Sequence, residues 1–133
     1  MGIYLDWRET EGVIIYQVVD PWTMNDLYQA VKTGFDLTKE VTDLVIIYDL
    51  QQTHHLPPSF LSGAGYLTRM KQENVSLWIL VGVGMLVKAI IHILEKARPQ
   101  LIADIKMVST LEEALALMQT RQPPTPVSAP KPD

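Results

Sequence analysis

Side chains able to do chemistry concentrate between an apolar run at residues 44–48 and a glycine-containing segment. Asp49 follows the apolar run, and His54 and His55 come next in a polar loop. Histidine with aspartate is a common pair in acid–base catalysis and in metal sites. Neighbouring residues of an extended chain point to opposite sides, however, so we expect His54 and His55 not to share one ion. We therefore expect no catalytic residue, metal or cofactor, and a histidine enzyme using Asp49 is the least favoured alternative.

The same stretch is the best candidate for an interaction site. If residues 44–48 form a parallel strand, the residues after them lie beyond its carboxyl end, where open α/β sheets bind ligands. A helix beginning after Ser59 would also offer an N-terminus that attracts anions. Structural roles compete, because Ser59 is suited to capping and the glycines to close packing. The candidate interaction or switch edge comprises Asp49, Thr53, His54, His55, Ser59, Ser62, Gly63 and Gly65.

Hydrophobic periodicity predicts the elements that position this edge. Apolar, β-branched runs predict strands at 3–7, 13–19, 44–48, 77–83 and 105–108. Helices are predicted at 24–39, 60–72, 85–97 and from 111, with capping boxes Thr23–Asp26 and Thr110–Glu113. In the first helix, Met24, Leu27, Val31 and Phe35 form the expected buried stripe.

The order β-β-α-β-α-β-α-β-α determines the predicted fold class. Strands alternating with helices imply right-handed crossovers and a mostly parallel sheet, to which the opening hairpin adds one antiparallel pair. We expect one α/β domain over residues 1–121, with a mixed five-stranded sheet flanked by helices. Residues 122–133 are rich in proline and are expected to form a flexible tail.

Composition excludes several classes of function. The 133 residues contain no cysteine, so disulfides and thiolate metal sites are excluded. The net charge of −4 argues against nucleic-acid binding. The beginning of the sequence lacks the features of a secretory signal, so we expect a cytoplasmic protein. Residues 1–50 carry three basic and nine acidic side chains, a net charge of −6. These acidic side chains are either ordinary solvated surface or part of an uneven charge distribution that orients a charged partner.

The apolar stretch at residues 77–94 approaches the length of a membrane span. Its first part is bulky and β-branched, Gly82 and Gly84 interrupt it, and Lys88 and His92 then return at helical spacing. A buried strand, a turn and a helix are therefore expected, with no membrane insertion. Val87 and Ile91 widen the apolar arc of this helix, so either a neighbouring element covers them or they form a self-association face.

Several stretches in this order resemble the STAS domain, the fold of anti-sigma-factor antagonists. They are 13–19 followed by Pro-Trp-Thr-Met-Asn-Asp-Leu at 21–27, 45–50, 80–83 and 108–114, within a coverage of residues 3–120. The chain is most similar to small stand-alone bacterial STAS-like proteins of unassigned function. Ser62-Gly63-Ala64-Gly65 resembles the end of the antagonists' switch motif, but Phe60 and Leu61 replace its Asp-Ser beginning.

The resemblance implies a non-catalytic regulatory or protein-interaction module. Its partner would be another protein or a second copy of this chain. The replaced Asp-Ser argues against the phospho-serine switch of the antagonists. The alternative is a carrier or sensor of a small apolar ligand, because STAS-like domains resemble lipid-transfer folds.

Overall fold

The computed structural model describes residues 2–60, 73–82, 84–97 and 105–120. Two predicted segments lie almost wholly outside these residues. They are the helix at 60–72, which contains Ser62, Gly63 and Gly65, and the tail at 122–133. The strands are β1 (Ile3–Arg8), β2 (Val13–Val19), β3 (Leu44–Gln52), β4 (Val75–Val81) and β5 (Ile105–Val108). The helices are α1 (Met24–Thr38), α2 (Met85–Ala97) and α3 (Leu111–Thr120).

The five strands form one sheet in the order β1-β2-β3-β4-β5. The β1–β2 pair is antiparallel, and the other three pairs are parallel. Val45 lies opposite Leu77 and Tyr48 opposite Leu80, so the two central apolar runs are parallel neighbours. The predicted fold class, an α/β domain with a mixed five-stranded sheet, is confirmed.

Both faces of the sheet are covered by helices. On one face, Val45 and Ile47 of β3 belong to a cluster that includes Ala114 of α3. On the other face, Ile46 packs in a cluster that includes Ala30 of α1. Side chains of a strand alternate between faces, so β3 is buried on both sides, as its continuous apolar run predicts.

Helix α1 begins at the predicted cap. The hydroxyl of Thr23 accepts a hydrogen bond from Asp26 N–H at 3.0 Å, and Asp26 Oδ2 accepts one from Thr23 N–H at 2.9 Å. The predicted buried stripe is wrong at Phe35, which is 40% exposed. Gly34 takes the inward position instead, because a side chain there would overlap the Tyr16 hydroxyl.

Four strand boundaries differ from the prediction. β1 ends one residue later, at Arg8, and β4 begins two residues earlier, at Val75. β3 continues to Gln52, because its ladder with β2 runs on through Gln17–Asp49 and Val19–Gln52. β4 ends two residues early at Val81, and the N–H of Gly82 donates to Val108 at 2.9 Å. The apolar stretch at 77–94 is thus a strand followed by a helix, and no helix among the described residues is long and apolar enough to cross a membrane.

The start of α3 departs slightly from the predicted capping box. Thr110 Oγ1 accepts from Glu113 N–H at 3.1 Å, as predicted. The Glu113 carboxylate, however, accepts from Ser109 N–H at 2.8 Å, one residue before the cap. The helix is therefore capped by the expected pair, Thr110 and Glu113, but the Glu113 side chain reaches the N–H one residue before the position that a capping box uses.

Candidate functional site

The site is organised by Asp20, the residue that follows β2. Its Oδ1 accepts a hydrogen bond from Thr53 Oγ1 at 2.5 Å, and its Oδ2 accepts one from His54 N–H at 2.8 Å. Its own N–H donates to the carbonyl of Gln52 at 3.3 Å. Three hydrogen bonds therefore join the end of β2 to the end of its parallel neighbour β3.

Both histidines of the loop face the same carboxylate. The Nδ1 atoms of His54 and His55 each lie 3.6 Å from Asp20 Oδ2, while the two side chains are 77% and 86% exposed. The expectation that neighbouring histidines point apart is wrong here. β3 ends at Gln52, so the histidines lie beyond the strand and the alternation on which that expectation depends does not apply to them.

The surroundings of Asp20 favour its charged form. The hydrogen bond from Thr53 is the largest cause that lowers the pKa of Asp20 below its usual value, and the His54 N–H and the His55 imidazole add to it. Partial burial acts in the opposite direction and is outweighed. The site therefore holds an ionised carboxylate at neutral pH, beside two accessible imidazoles.

A buried hydrogen bond connects this surface cluster to the core. Trp22 Nε1 donates to Thr53 Oγ1 at 2.8 Å, and Thr53 is only 4% exposed. The indole packs edge-to-face against Phe60, with ring centroids 6.4 Å apart, in a cluster that also contains Leu50. The loop is thus held from beneath by packed aromatic side chains.

Asp49 does not join the histidines. It is buried, and its Oδ1 accepts hydrogen bonds from the backbone N–H and the side-chain amide of Gln51, both at 3.1 Å. Since Asp49 and Leu50 are successive strand residues, their side chains point to opposite faces of the sheet, and Leu50 packs in the cluster with Trp22. The geometry therefore gives no support to the least favoured alternative, a histidine enzyme using Asp49.

The remaining predicted residues fall into three groups. Ser59 is exposed and directly precedes Phe60, whose N–H donates to Pro57 O at 3.0 Å. Ile91 is half-buried and packs against the core cluster that contains Ile90, so other residues of this chain cover part of it. Ser62, Gly63, Gly65 and the Val87 side chain lie outside the described part.

Residues Asp20 and Trp22 were missed by the sequence reasoning. Asp20 directly follows the predicted strand at 13–19 and was assigned no functional role. The signal that could have found it is the parallel arrangement of β2 and β3, because the carboxyl ends of neighbouring parallel strands meet at one edge of the sheet. The described residues contain no group of three or more His, Cys, Asp or Glu with the geometry to hold a metal ion.

A groove of about 270 Å³ lies between β1 and α1, and its lining residues include neither His54 nor His55. It is largely open to solvent, and Asp26, Gln29 and Thr33 give it polar walls. Such a groove does not enclose an apolar cargo, so it offers no support for the carrier alternative.

Comparison with models of known protein families gives no match, and no curated protein matches the chain.

Proposed function

We propose that this chain is a non-catalytic protein-interaction module of STAS type, which binds a protein partner through the loop at Thr53–His55. The observation that supports it is the exposure of two imidazoles, 77% and 86%, on a loop anchored by Asp20 and Thr53. Closing an active site over its catalytic groups strengthens their electrostatic interactions by expelling water, and these two imidazoles are not enclosed in that way. Exposed imidazoles on an anchored loop instead present hydrogen-bond donors and acceptors to a partner with little ordering cost.

The absence of the antagonists' Asp-Ser pair before Ser62 suggests that their control by serine phosphorylation does not operate in this module. Phe60 occupies one of these two positions and packs against Trp22 in the core. We infer that binding at the loop does not depend on phosphorylation of Ser62. Treatment of the purified chain with a phosphatase should leave partner binding unchanged.

The test is quantitative affinity purification with the full chain as bait. The double variant His54→Ala/His55→Ala removes both imidazoles, and His92→Ala in α2 is the matched control because His92 is also 67% exposed. We expect at least one protein to be retained by the wild type and His92→Ala and lost by the double variant. If all three baits retain the same proteins equally, the loop is not the binding surface.

A further inference from the structure

The two loop histidines use the same ring nitrogen to face one carboxylate. The Nδ1 atoms of His54 and His55 both lie 3.6 Å from Asp20 Oδ2. Among the described residues, no other carboxylate oxygen lies within 4.0 Å of a nitrogen of either imidazole. Each ring therefore has a negative charge beside Nδ1, while its side chain stays largely exposed to solvent.

The carboxylate of Asp20 is held in place from the core. The Thr53 hydroxyl and the His54 N–H donate hydrogen bonds to its two oxygens. Thr53 is only 4% exposed, and its hydroxyl in turn accepts from Trp22 Nε1 at 2.8 Å. The same hydrogen bonds lower the pKa of Asp20 and so keep it charged at neutral pH. A fixed anionic oxygen therefore lies beneath two exposed rings.

The charge of Asp20 decides which nitrogen of each neutral imidazole carries the proton. A neutral imidazole has one N–H donor and one bare nitrogen that accepts. The choice is set by what faces the ring nitrogens, and a carboxylate beside Nδ1 attracts an N–H there and repels a lone pair. With the proton on Nδ1, the bare nitrogen is Nε2. The geometry of the ring directs Nε2 away from the atom that Nδ1 faces, and thus away from Asp20.

We propose that Asp20 is a positioning residue that holds His54 and His55 in the Nδ1–H form, so that the loop offers two bare Nε2 atoms as hydrogen-bond acceptors. The partner surface that the loop recognises therefore presents hydrogen-bond donors at this contact, such as hydroxyl, ammonium or guanidinium groups. A partner that presents acceptors is rejected, because acceptors would face acceptors. The inference rests on the function proposed for the loop and adds the chemistry of its partner.

The tautomer of each histidine can be measured without any partner. The probe is the ¹⁵N-labelled full chain at about pH 9, where an imidazole is neutral. In a two-dimensional ¹H–¹⁵N spectrum of the rings, a protonated nitrogen and a bare one differ widely in chemical shift. His54→Ala and His55→Ala, made singly, assign the signals. We expect the Nδ1–H form to be the majority at both loop histidines, and a majority of Nε2–H at either ring would overturn the proposal.

Asp20→Asn tests whether the carboxylate is the cause. We expect the ratio of Nδ1–H to Nε2–H to fall several-fold at both loop histidines and to stay unchanged at His92, whose Nδ1 lies 4.0 Å from a different carboxylate, that of Glu95. Asp20→Glu restores the charge and should recover part of the ratio. Unchanged loop tautomers in a folded Asp20→Asn chain would overturn the proposal. If Asp20→Asn does not fold, the tautomers of the wild type still decide it.

A matched pair of double variants tests the chemistry of the partner. His54→Gln/His55→Gln keeps a side-chain acceptor at each position, whereas His54→Lys/His55→Lys offers donors only. The readout is the set of proteins that His54→Ala/His55→Ala loses in affinity purification. We expect the glutamine variant to retain several-fold more of these proteins than the lysine variant. Equal retention, or more retention by the lysine variant, would overturn the assignment of the loop as an acceptor surface.

The two proposals fail separately. If both histidines are Nδ1–H but His54→Ala/His55→Ala loses no protein, the function proposed for the loop is contradicted and the role of Asp20 in setting the tautomers stands. If the alanine variant loses its partners but the histidines are Nε2–H, the loop binds as proposed and this inference alone is contradicted.

Discussion

Two hydrogen-bonded arrangements lie on either side of Pro21 and Trp22, and they differ in how far apart their partners are in the sequence. The cap joins Thr23 and Asp26, three residues apart. The contact between Asp20 and Thr53 joins residues 33 apart. The first is enforced by helix geometry and is recognisable from spacing. The second forms only when β2 and β3 lie side by side, so its energetic effect depends on the tertiary structure.

The largest effect is expected in the core, for Gly34→Ala. A methyl group there would overlap the Tyr16 hydroxyl and lie 3.0 Å from Ile14 Cδ1. We expect the free energy of unfolding, measured with urea, to fall by about 3 kcal/mol. Local helix propensity alone predicts the opposite sign, a gain of about 1 kcal/mol. A lower stability of Gly34→Ala would therefore show that the tertiary contact with Tyr16 decides the outcome, and a higher stability would show that local helix propensity decides it.

A companion variant checks the cause of that loss. Tyr16→Phe removes the hydroxyl that the new methyl group would overlap. The destabilisation by Gly34→Ala should be smaller in the Tyr16→Phe background than in the wild type. Equal losses in both backgrounds would show that the hydroxyl contact is not responsible.

A smaller effect is expected for Thr53→Val. This change removes the hydroxyl that accepts from Trp22 Nε1 and donates to Asp20. The buried indole N–H is left without its acceptor, so we expect a loss of about 2 kcal/mol in urea unfolding followed by tryptophan fluorescence. Thr53→Ser is the control, because it keeps the hydroxyl. If valine is tolerated better than serine, the hydroxyl bridge contributes little to stability.

Thr23→Ala removes the cap between Thr23 and Asp26, and its effect is to be compared with that of losing the Asp20–Thr53 contact. Loss of the cap should reduce the free energy of unfolding by about 1 kcal/mol. Thr23→Asn, which retains a side-chain acceptor, should recover most of that loss in the same measurement. A loss larger than that of Thr53→Val would reverse the ranking of local and long-range contacts.

The smallest effect is expected in the pH dependence of stability, tested with Asp20→Asn. The folded pKa of Asp20 is lowered, so its charged form stabilises the fold above the unfolded value of about 3.9, and this contribution is lost as the pH falls through the folded pKa. The stability advantage of the wild type over Asp20→Asn should therefore shrink between pH 7 and pH 3. A difference that does not vary with pH would contradict the assigned cause.

The candidate site was predicted in part. The sequence placed Thr53, His54 and His55 on one loop at the end of a parallel strand, and the structure confirms that position. The sequence did not indicate Asp20 as the carboxylate beside the histidines, while Asp49, named only in the least favoured alternative, points into the opposite face. Side-chain direction depends on where β3 ends, and β3 continues beyond the predicted boundary because the ladder with β2 holds it.

Among the described residues, the sequence by itself determined the helices and strands and their order. Hydrophobic periodicity and caps act over a few residues, which is why the bounds of β2, α2 and β5 were predicted to the residue. Only the tertiary structure decided that Gly34 faces Tyr16, that both histidines face Asp20, and that β1 leaves a groove beside α1. These contacts depend on the register of neighbouring strands and on the depth to which a helix packs, and neither quantity is encoded in the spacing of residues along the chain.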